Sequence, residues 1–442
     1  MADRSAPTPR ALALSILKRC SAADSYANLT LDYVLRRQNL SAQDSALLTA
    51  LVYGTIERQV SLDYYLAHFS DLPLNKIDEA VLWILRTGLY QILYMERIPP
   101  HAAVNESVSL APRRSAGFVN AVLRTCVRCK ESDSMPPLPA SPEEALSVRS
   151  SVPLPLCLEF IRIFGFEKTE AMFAAWQAGR KLCLRVNTLK TDRATLTDLL
   201  NRHQIEAIPT SLSPNGLLID EMPVQKIPGF SDGLFFIQDE ASQLCVEALQ
   251  AQPGDTVLDC CACPGSKSFG TAMRMQDKGL VLANDLHANK LSLIASGAER
   301  LGVSVIKTNA SDARTFAPAE GVLYDRILCD VPCSGYGVLG KKPEIRHKPL
   351  QTAAGLPEIQ LAILRHAATL LAPGGRLVYS TCTLLPQENE QVIEQFLESR
   401  PDFRLCPTAA GGIDISKGLI TLTPDMYGTD GFFIAVLERK ND

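Results

Sequence analysis

From residue 256 onward, short apolar runs alternate with stretches of helical spacing, and this alternation restricts the fold more than any other feature of the chain. The runs are TVLDCCA, LVLAND, VSVIKTN, YDRILCD, GRLVYST and GFFIAVLE, with helical spacing at 268–276 and 288–301. Strands that are apolar on both faces, with helices between them, predict a mostly parallel α/β sheet covered on both sides, a Rossmann-like arrangement. Ligands of such sheets bind at the carboxyl ends of the strands, so the residues that follow each run are where chemistry is expected.

Upstream the pattern differs. Apolar residues at helical spacing, such as Leu47, Leu48, Leu51 and Val52, then Val81, Leu82, Leu85 and Leu89, predict an all-α bundle over 1–130. Residues 131–155 (ESDSMPPLPASPEEALSVRSSVPLP) have the composition of a linker. Residues 156–236 read as a small α+β subdomain, with strands at 182–189, 216–220 and 233–237 and a helix at 191–203, and 237–442 as the α/β domain. With 442 residues, 46% of them hydrophobic, the chain can bury large cores, which excludes disorder as its main state. Thirteen scattered cysteines fit reduced thiols in a cytosol better than a disulfide framework. The first ten residues carry no apolar signal-peptide core, and no run is long enough to span a membrane, so a soluble cytoplasmic protein is expected. The net charge of −4 gives no global sign of nucleic-acid binding, but residues 1–130 carry +4. Arg113, Arg114, Arg124, Arg128 and Lys130 cluster near the end of that segment, as a solvated helix face or an RNA contact.

Five strand ends carry reactive groups. VLDCCACPGSK (257–267) runs from a strand through a Pro-Gly turn into a helix and presents backbone N–H groups to a nucleotide-like ligand. It is not a P-loop, because Ser266 stands before Lys267 and the earlier glycine is missing. Asp285 ends the next strand at the distance where a carboxylate meets ribose hydroxyls. Asp312 follows the third strand, as an acceptor for an adenine amino group or as a turn cap. The fourth strand ends in Asp330-Val-Pro-Cys333-Ser-Gly and the fifth in Ser380-Thr-Cys382-Thr. A single cysteine is usually a small buried hydrophobe; two at neighbouring strand ends, one beside a carboxylate, suggest catalysis. No metal is expected: Cys126 and Cys129 lack a partner pair, and Cys260, Cys261 and Cys263 diverge along a strand. His287, His347 and His366 are present, yet none sits where a Cys-His hydrolase needs its base. Lys341, Lys342, Arg346, His347 and Lys348 follow the Pro-Cys motif and suggest phosphate contacts.

The ordered set VLDCCACPGSK, LANDL, NASDA, DRILCDVPCSGYGVLGKKPEIRHK and LVYSTCTLLPQENE, with FFIQDEASQ before it and DGFFIAVLER after it, resembles the S-adenosylmethionine-dependent RNA cytosine-5 methyltransferases. NLTLDYVL, ALLTALVYGTIER, AVLWILRTGLYQI and SAGFVNAVLR resemble the NusB-like helical domain. The combination, covering nearly the whole chain, is similar to the bacterial 16S ribosomal RNA methyltransferases of the RsmB (Sun/Fmu) type. The chain departs from the usual family pattern at Ser266, at Val331 and in Lys341-Lys342-Pro-Glu.

The resemblance implies methylation of carbon 5 of a cytosine in small-subunit ribosomal RNA through a covalent Cys–cytosine intermediate. Cys382 would be the nucleophile, Cys333 would assist release of the adduct, and Asp330 would bind the cytosine edge and border the cofactor. Cys261, Ala262, Cys263, Pro264, Gly265, Ser266 and Lys267, with Asp285 and Asp312, would hold S-adenosylmethionine, and Lys267 would also orient the catalytic acid or the RNA. Arg113, Arg114, Arg124, Lys341, Lys342 and Arg346 would contact ribosomal RNA, in an expected monomer that binds neither DNA nor membrane. The competing readings are a catalytically silent RNA-binding assembly factor, a methyltransferase of another RNA, and a DNA cytosine-5 methyltransferase. That last enzyme would attack with the Pro-Cys thiol and lack the Thr-Cys one.

Overall fold

The computed structural model describes residues 7–22, 27–179, 181–318 and 321–441. The chain divides into two compact units, residues 1–173 with 342–348, and residues 174–341 with 349–442.

The first unit is helical: α1 (Pro9–Ala22), α2 (Ala27–Arg37), α3 (Ala42–Glu57), α4 (Gln59–Phe69), α5 (Glu79–Tyr94), α6 (Pro100–Leu110), α7 (Ala116–Glu131), α8 (Pro142–Ser150) and α9 (Leu154–Phe164), with the start of α10 (Phe166–Gln177). Helix starts are set by short polar side chains that satisfy free N–H groups of the first turn. Ser41 Oγ accepts from Asp44 N–H at 3.0 Å, and Asp78 accepts from Ala80 N–H at 3.0 Å. The apolar stripes then meet in one core that includes Leu48, Leu51, Val52, Leu85, Leu89, Val122 and Leu123.

Two readings of the sequence change here. Within 131–155, read from composition as a linker, Ser141 caps α8 and Pro142 occupies its first turn, and Leu146 and Val148 are buried. Ser and Pro mark a helix start in this context rather than an extended chain. Arg346, expected to contact RNA, is 2% exposed. Its Nη1 donates to the carbonyls of Glu57 at 3.0 Å and Ser151 at 3.2 Å, so the guanidinium completes two helix ends of the bundle. Beside it His347 bonds to the Ile56 carbonyl at 2.9 Å, and burial drives the imidazole down to about 4.

In the second unit, β1 (Lys181–Val186), α11 (Arg193–Arg202), β2 (Ile208–Pro209), β3 (Gly216–Asp220) and β4 (Phe235–Ile237) form an antiparallel sheet of order β2-β3-β1-β4 with its helix. Leu184, Val186, Leu196, Leu200 and Leu217 make its core. Then come α12 (Glu240–Leu249), β5 (Thr256–Asp259), α13 (Ser266–Arg274), β6 (Leu280–Asp285), α14 (Leu291–Leu301), β7 (Ile306–Ala310), β8 (Tyr324–Asp330), α15 (Leu356–Thr369), β9 (Leu371–Thr381) and α16 (Glu390–Ser399). The chain ends with β10 (Phe403–Leu405), β11 (Thr408–Ala410), β12 (Ile413–Ile415), β13 (Leu419–Leu422), α17 (Pro424–Tyr427) and β14 (Phe432–Arg439).

The large sheet has the order β10-β14-β9-β8-β5-β6-β7, with β13 also on β14. Strands β5 to β9 are parallel and β14 runs against β9. One face is covered by α12, α13 and α14 through Leu244, Ala272 and Ile294, the other by α15 and α16 through Leu364 and Phe396. The first strand, β5, lies between β6 and β8, so the chain departs to opposite sides of it and opens a crevice at the strand ends. Among the described residues no helix is long and apolar enough to cross a membrane.

Arg185 of β1 ties the small sheet to this layer. Fully buried, it donates to Gln238 at 3.2 Å and pairs at 3.0 Å with Glu247 of α12, which Arg274 of α13 also reaches at 2.6 Å. Removing one partner of a buried pair costs about 3–5 kcal/mol. Arg185→Met should lower the urea-unfolding free energy by about 3 kcal/mol; an unchanged midpoint would mean that Arg274 alone satisfies Glu247.

Candidate active site

The loop between β5 and α13 holds Cys261, Ala262, Cys263, Pro264 and Gly265, and Ser266 and Lys267 open the helix. Gly265 adopts φ +108°, and a Cβ there would stand 2.6 Å from the Phe269 ring, so the turn requires glycine. Its N–H bonds to the Ala262 carbonyl at 2.6 Å, and no side chain caps the α13 N-terminus. Asp285, at the end of β6, accepts from Cys263 N–H at 3.1 Å through one oxygen and from His287 N–H at 2.9 Å through the other. It therefore braces the loop and keeps lone pairs for a diol. Asp312 folds onto its own turn: it accepts from Arg314 N–H at 2.9 Å and pairs with the guanidinium at 2.6 Å, which holds its carboxyl down at about 2. Asp259 ends β5 beneath the loop; Ser268 Oγ donates to one oxygen at 2.6 Å while the other is buried without a partner. Burial pushes this carboxyl up to about 7.

Asp330 and Lys267 meet across the crevice. Lys267 Nζ lies 2.6 Å from Asp330 Oδ2, and Ser380 Oγ donates to Oδ1 at 2.8 Å. Burial works against the ammonium, but the carboxylate outweighs it and holds Lys267 above its ordinary range. Asp330 is thus fixed at both oxygens.

Parallel pairing of Asp330 with Ser380 brings the ends of β8 and β9 to one level. The two following loops place Cys333 Sγ 3.2 Å from Cys382 Sγ, and Cys382 N–H donates to Cys333 Sγ at 3.3 Å. A second contact fixes the Cys382 backbone. Gly337 N–H donates to the Cys382 carbonyl at 2.9 Å, and Gly431 N–H to the Gly337 carbonyl at 2.8 Å. Any Cβ on Gly337 would lie 1.9 Å from the Gly431 oxygen, so this crossing also demands glycine.

Cys382, Cys333, Asp330 and Lys267 therefore come together, and the cofactor-loop residues and Asp285 line the neighbouring strand ends. Arg113, Arg114 and Arg124 are exposed on the helical unit, Arg124 bonding to Asn120 at 2.9 Å. Lys342 is exposed. Lys341 leaves the expected phosphate-binding set: its ammonium bonds to Asp239 and, at 2.9 Å, to Asp430, two carboxylates that neutralise it. Sequence reasoning missed Ser380, Asp259, Ser334 and Glu388. Ser380 was legible as the residue before Thr-Cys; Asp259 looked like one more strand end.

The carboxylates of Asp285 and Asp330, beside a helix start, fit a cationic nucleoside such as S-adenosylmethionine.

Comparison with known proteins bears on the family and the fold. Residues 246–438 match the family model for 16S rRNA methyltransferase RsmB/F, residues 7–128 that of the NusB family, and residues 156–225 that of a RsmF/B-like ferredoxin-like domain. The probable ribosomal RNA small subunit methyltransferase B of Bacillus subtilis is 38% identical, with 98% of each chain covered. The crystal structure of PH0851 shares the fold with a TM-score of 0.80 at 24% identity, over 99% of this chain and 100% of that one. A methyltransferase homologue from Pyrococcus horikoshii aligns at 30% identity and a TM-score of 0.59, over 68% of this chain and 100% of its own.

Asp259 generates a pH prediction. Its folded value, about 7, lies above the ordinary 3.8, so the folded state keeps a proton that the unfolded state loses. The stability this gives is complete below about 4 and disappears as pH rises through about 7. Thermal melts from pH 4 to 8 should show wild type losing stability relative to Asp259→Asn. A constant difference across that range would contradict the buried, protonated carboxyl.

Proposed function

The chain belongs to the RsmB/F family of 16S ribosomal RNA methyltransferases, and from that premise we propose that it methylates carbon 5 of a cytosine in small-subunit ribosomal RNA through a covalent bond to Cys382. The observation that carries this reading is the pair of thiols 3.2 Å apart beside the Lys267–Asp330 pair. Carbon 5 of cytosine is a poor nucleophile until a thiolate adds at carbon 6.

In this mechanism Cys382 sulfur bonds to carbon 6, and the electrons of the 5,6 double bond move toward the ring nitrogen and carbonyl. Asp330, held by Lys267 and Ser380, meets the cytosine edge and favours a proton on the ring nitrogen as charge develops there. Bound S-adenosylmethionine supplies a methyl group made electrophilic by its positive sulfur. Carbon 5 would take that methyl group, the electrons of the broken sulfur–methyl bond remaining on the cofactor as a neutral thioether. Cys333, as thiolate, then removes the carbon 5 proton; the freed electron pair restores the double bond, and the bond from carbon 6 to Cys382 sulfur breaks. The loop 261–267 and Asp285 hold the cofactor, with Asp312 at the adenine side once its contact with Arg314 is shared or exchanged. Exposed Arg113, Arg114, Arg124 and Lys342 are the RNA contacts that remain from the sequence reading. The target base must leave any stack to reach the thiol. All thirteen cysteines are free, which suits catalysis in a reducing cytoplasm.

Transfer of labelled methyl from S-adenosylmethionine to unmodified 16S ribosomal RNA tests the reaction. Label should appear in 5-methylcytosine; label in another nucleoside would refute the carbon 5 assignment. Cys382→Ala should reduce turnover to background while cofactor binding persists, and normal turnover would remove it as nucleophile. Cys333→Ala should accumulate a protein–RNA complex that survives a denaturing gel. Release of product at the wild-type rate would exclude Cys333 from that step.

A further inference from the structure

The mechanism above needs one thiolate and one thiol from two cysteines in contact, and it gives no reason why the charge should sit on Cys382. Glu388 takes no part in that mechanism. Glu388 lies in the turn after the Thr-Cys motif and is 1% exposed. Ser334 N–H donates to its Oε2 at 2.9 Å and Gln360 Nε2 to the same oxygen at 2.8 Å, while Ser334 Oγ donates to Oε1 at 2.5 Å. Such a set of donors matches an ionised carboxylate, which only accepts. No cation lies within ion-pair distance of it among the described residues, so its negative charge is buried and uncompensated. An anion of this kind acts over a longer range than a dipole in a low-dielectric interior.

Hydrogen bonds lead from this carboxylate to the neighbours of the two cysteines by paths of different length. Ser334 is the residue next to Cys333, and Glu388 bonds to it through both backbone and hydroxyl. Toward Cys382 the contact passes through one more side chain: Ser334 Oγ meets Thr383 Oγ1 at 2.8 Å. The titratable groups around Cys333 are Cys382, Glu388 and Tyr379, whose hydroxyl donates to the Glu388 carbonyl at 2.6 Å. The hydrogen bond that the Cys333 S–H gives to Cys382, burial, and the charges of Cys382 and Glu388 all push the Cys333 thiol well above its ordinary range; only the Cys382 N–H dipole opposes them.

We propose that Glu388 is a positioning residue for charge: it keeps the proton on Cys333 and leaves Cys382 as the attacking thiolate. The inference rests on the reading of Cys382 as nucleophile. In the resting pair, one proton has gone to solvent and the other lies on Cys333, whose S–H donates to the Cys382 thiolate. Once Cys382 sulfur has bonded to carbon 6, the like charge beside Cys333 is gone. Cys333 then releases its proton to solvent and becomes the base that takes the proton from carbon 5.

The test is competitive alkylation of the full-length free enzyme with substoichiometric iodoacetamide at pH 7.5, with each cysteine quantified by peptide mass spectrometry. Cys333 and Cys382 are both half-buried, so their reactivity ratio reports mainly on charge. Wild type should label Cys382 over Cys333 by about tenfold or more, the ratio that one pKa unit gives. Glu388→Gln, nearly isosteric and neutral, should bring that ratio toward parity. Ser334→Ala keeps the carboxylate and the backbone bond and should stay within about twofold of wild type, whereas a merely structural network would move both variants alike. An unmoved ratio in a Glu388→Gln protein that melts like wild type overturns the inference. So does faster labelling of Cys333 in wild type, a result that needs no variant to fold. Loss of methylation in Cys382→Ala together with an unmoved Glu388→Gln ratio rejects this inference alone; full methylation by Cys382→Ala rejects the mechanism on which it rests.

Discussion

The parallel pairing of β8 with β9 is the constraint on which the site depends. Asp330 stands opposite Ser380, and Val331 N–H adds a bond to the Ser380 carbonyl at 3.1 Å, so both strands leave the sheet together. Side chains alternate along a strand, and a shift of one residue would turn Asp330 and Ser380 to opposite faces. The 2.8 Å bond between them would then be lost, and the two thiols would no longer meet at 3.2 Å. Packing on both faces of the sheet holds this register: Ile327, Cys329, Leu377 and Tyr379 lie in one core, Leu328 and Val378 in the other.

Around that register the chain buries charge in two ways. Lys267 and Asp330 neutralise each other at the strand ends. Glu388 has hydrogen-bond donors but no cation, so its field is felt by its neighbours. A buried ion is costly unless its surroundings satisfy it. Gln360 and Ser334 satisfy Glu388 in geometry while leaving its charge intact. Lys341, between Asp239 and Asp430, joins the loop after the Pro-Cys motif to the helix before β5 and to the chain entering β14. Lys267 and Glu388 therefore act inside the fold, although both look like surface residues in sequence.

What was legible follows from range. Strands β5, β6, β8, β9 and β14 were readable because their apolar runs are long enough to show burial on both faces, and Cys333 and Cys382 because they end two such runs. Gly265 and Asp285 were readable from strand, turn and spacing. Strands β10 to β13 have three or four residues each, too few for a period to emerge. Arg346 could not be distinguished from its basic neighbours, since its burial depends on Glu57 and Ser151, far away in the chain. Helix α8 was hidden by the serine and proline that start it. Glu388 was visible in the motif, yet its importance depends on Gln360 and Ser334, which only folding brings to it.

The most direct test of the account is to locate the covalent bond. A 16S ribosomal RNA fragment carrying 5-fluorocytidine at its methylation site cannot lose its carbon 5 substituent as a proton, so the adduct should stay on the protein. After nuclease and protease digestion, mass spectrometry should find the nucleotide attached to the peptide containing Cys382. Attachment at Cys333, or no adduct while the same enzyme methylates the unfluorinated RNA, would contradict the assignment of Cys382 as the thiol that opens cytosine to methylation.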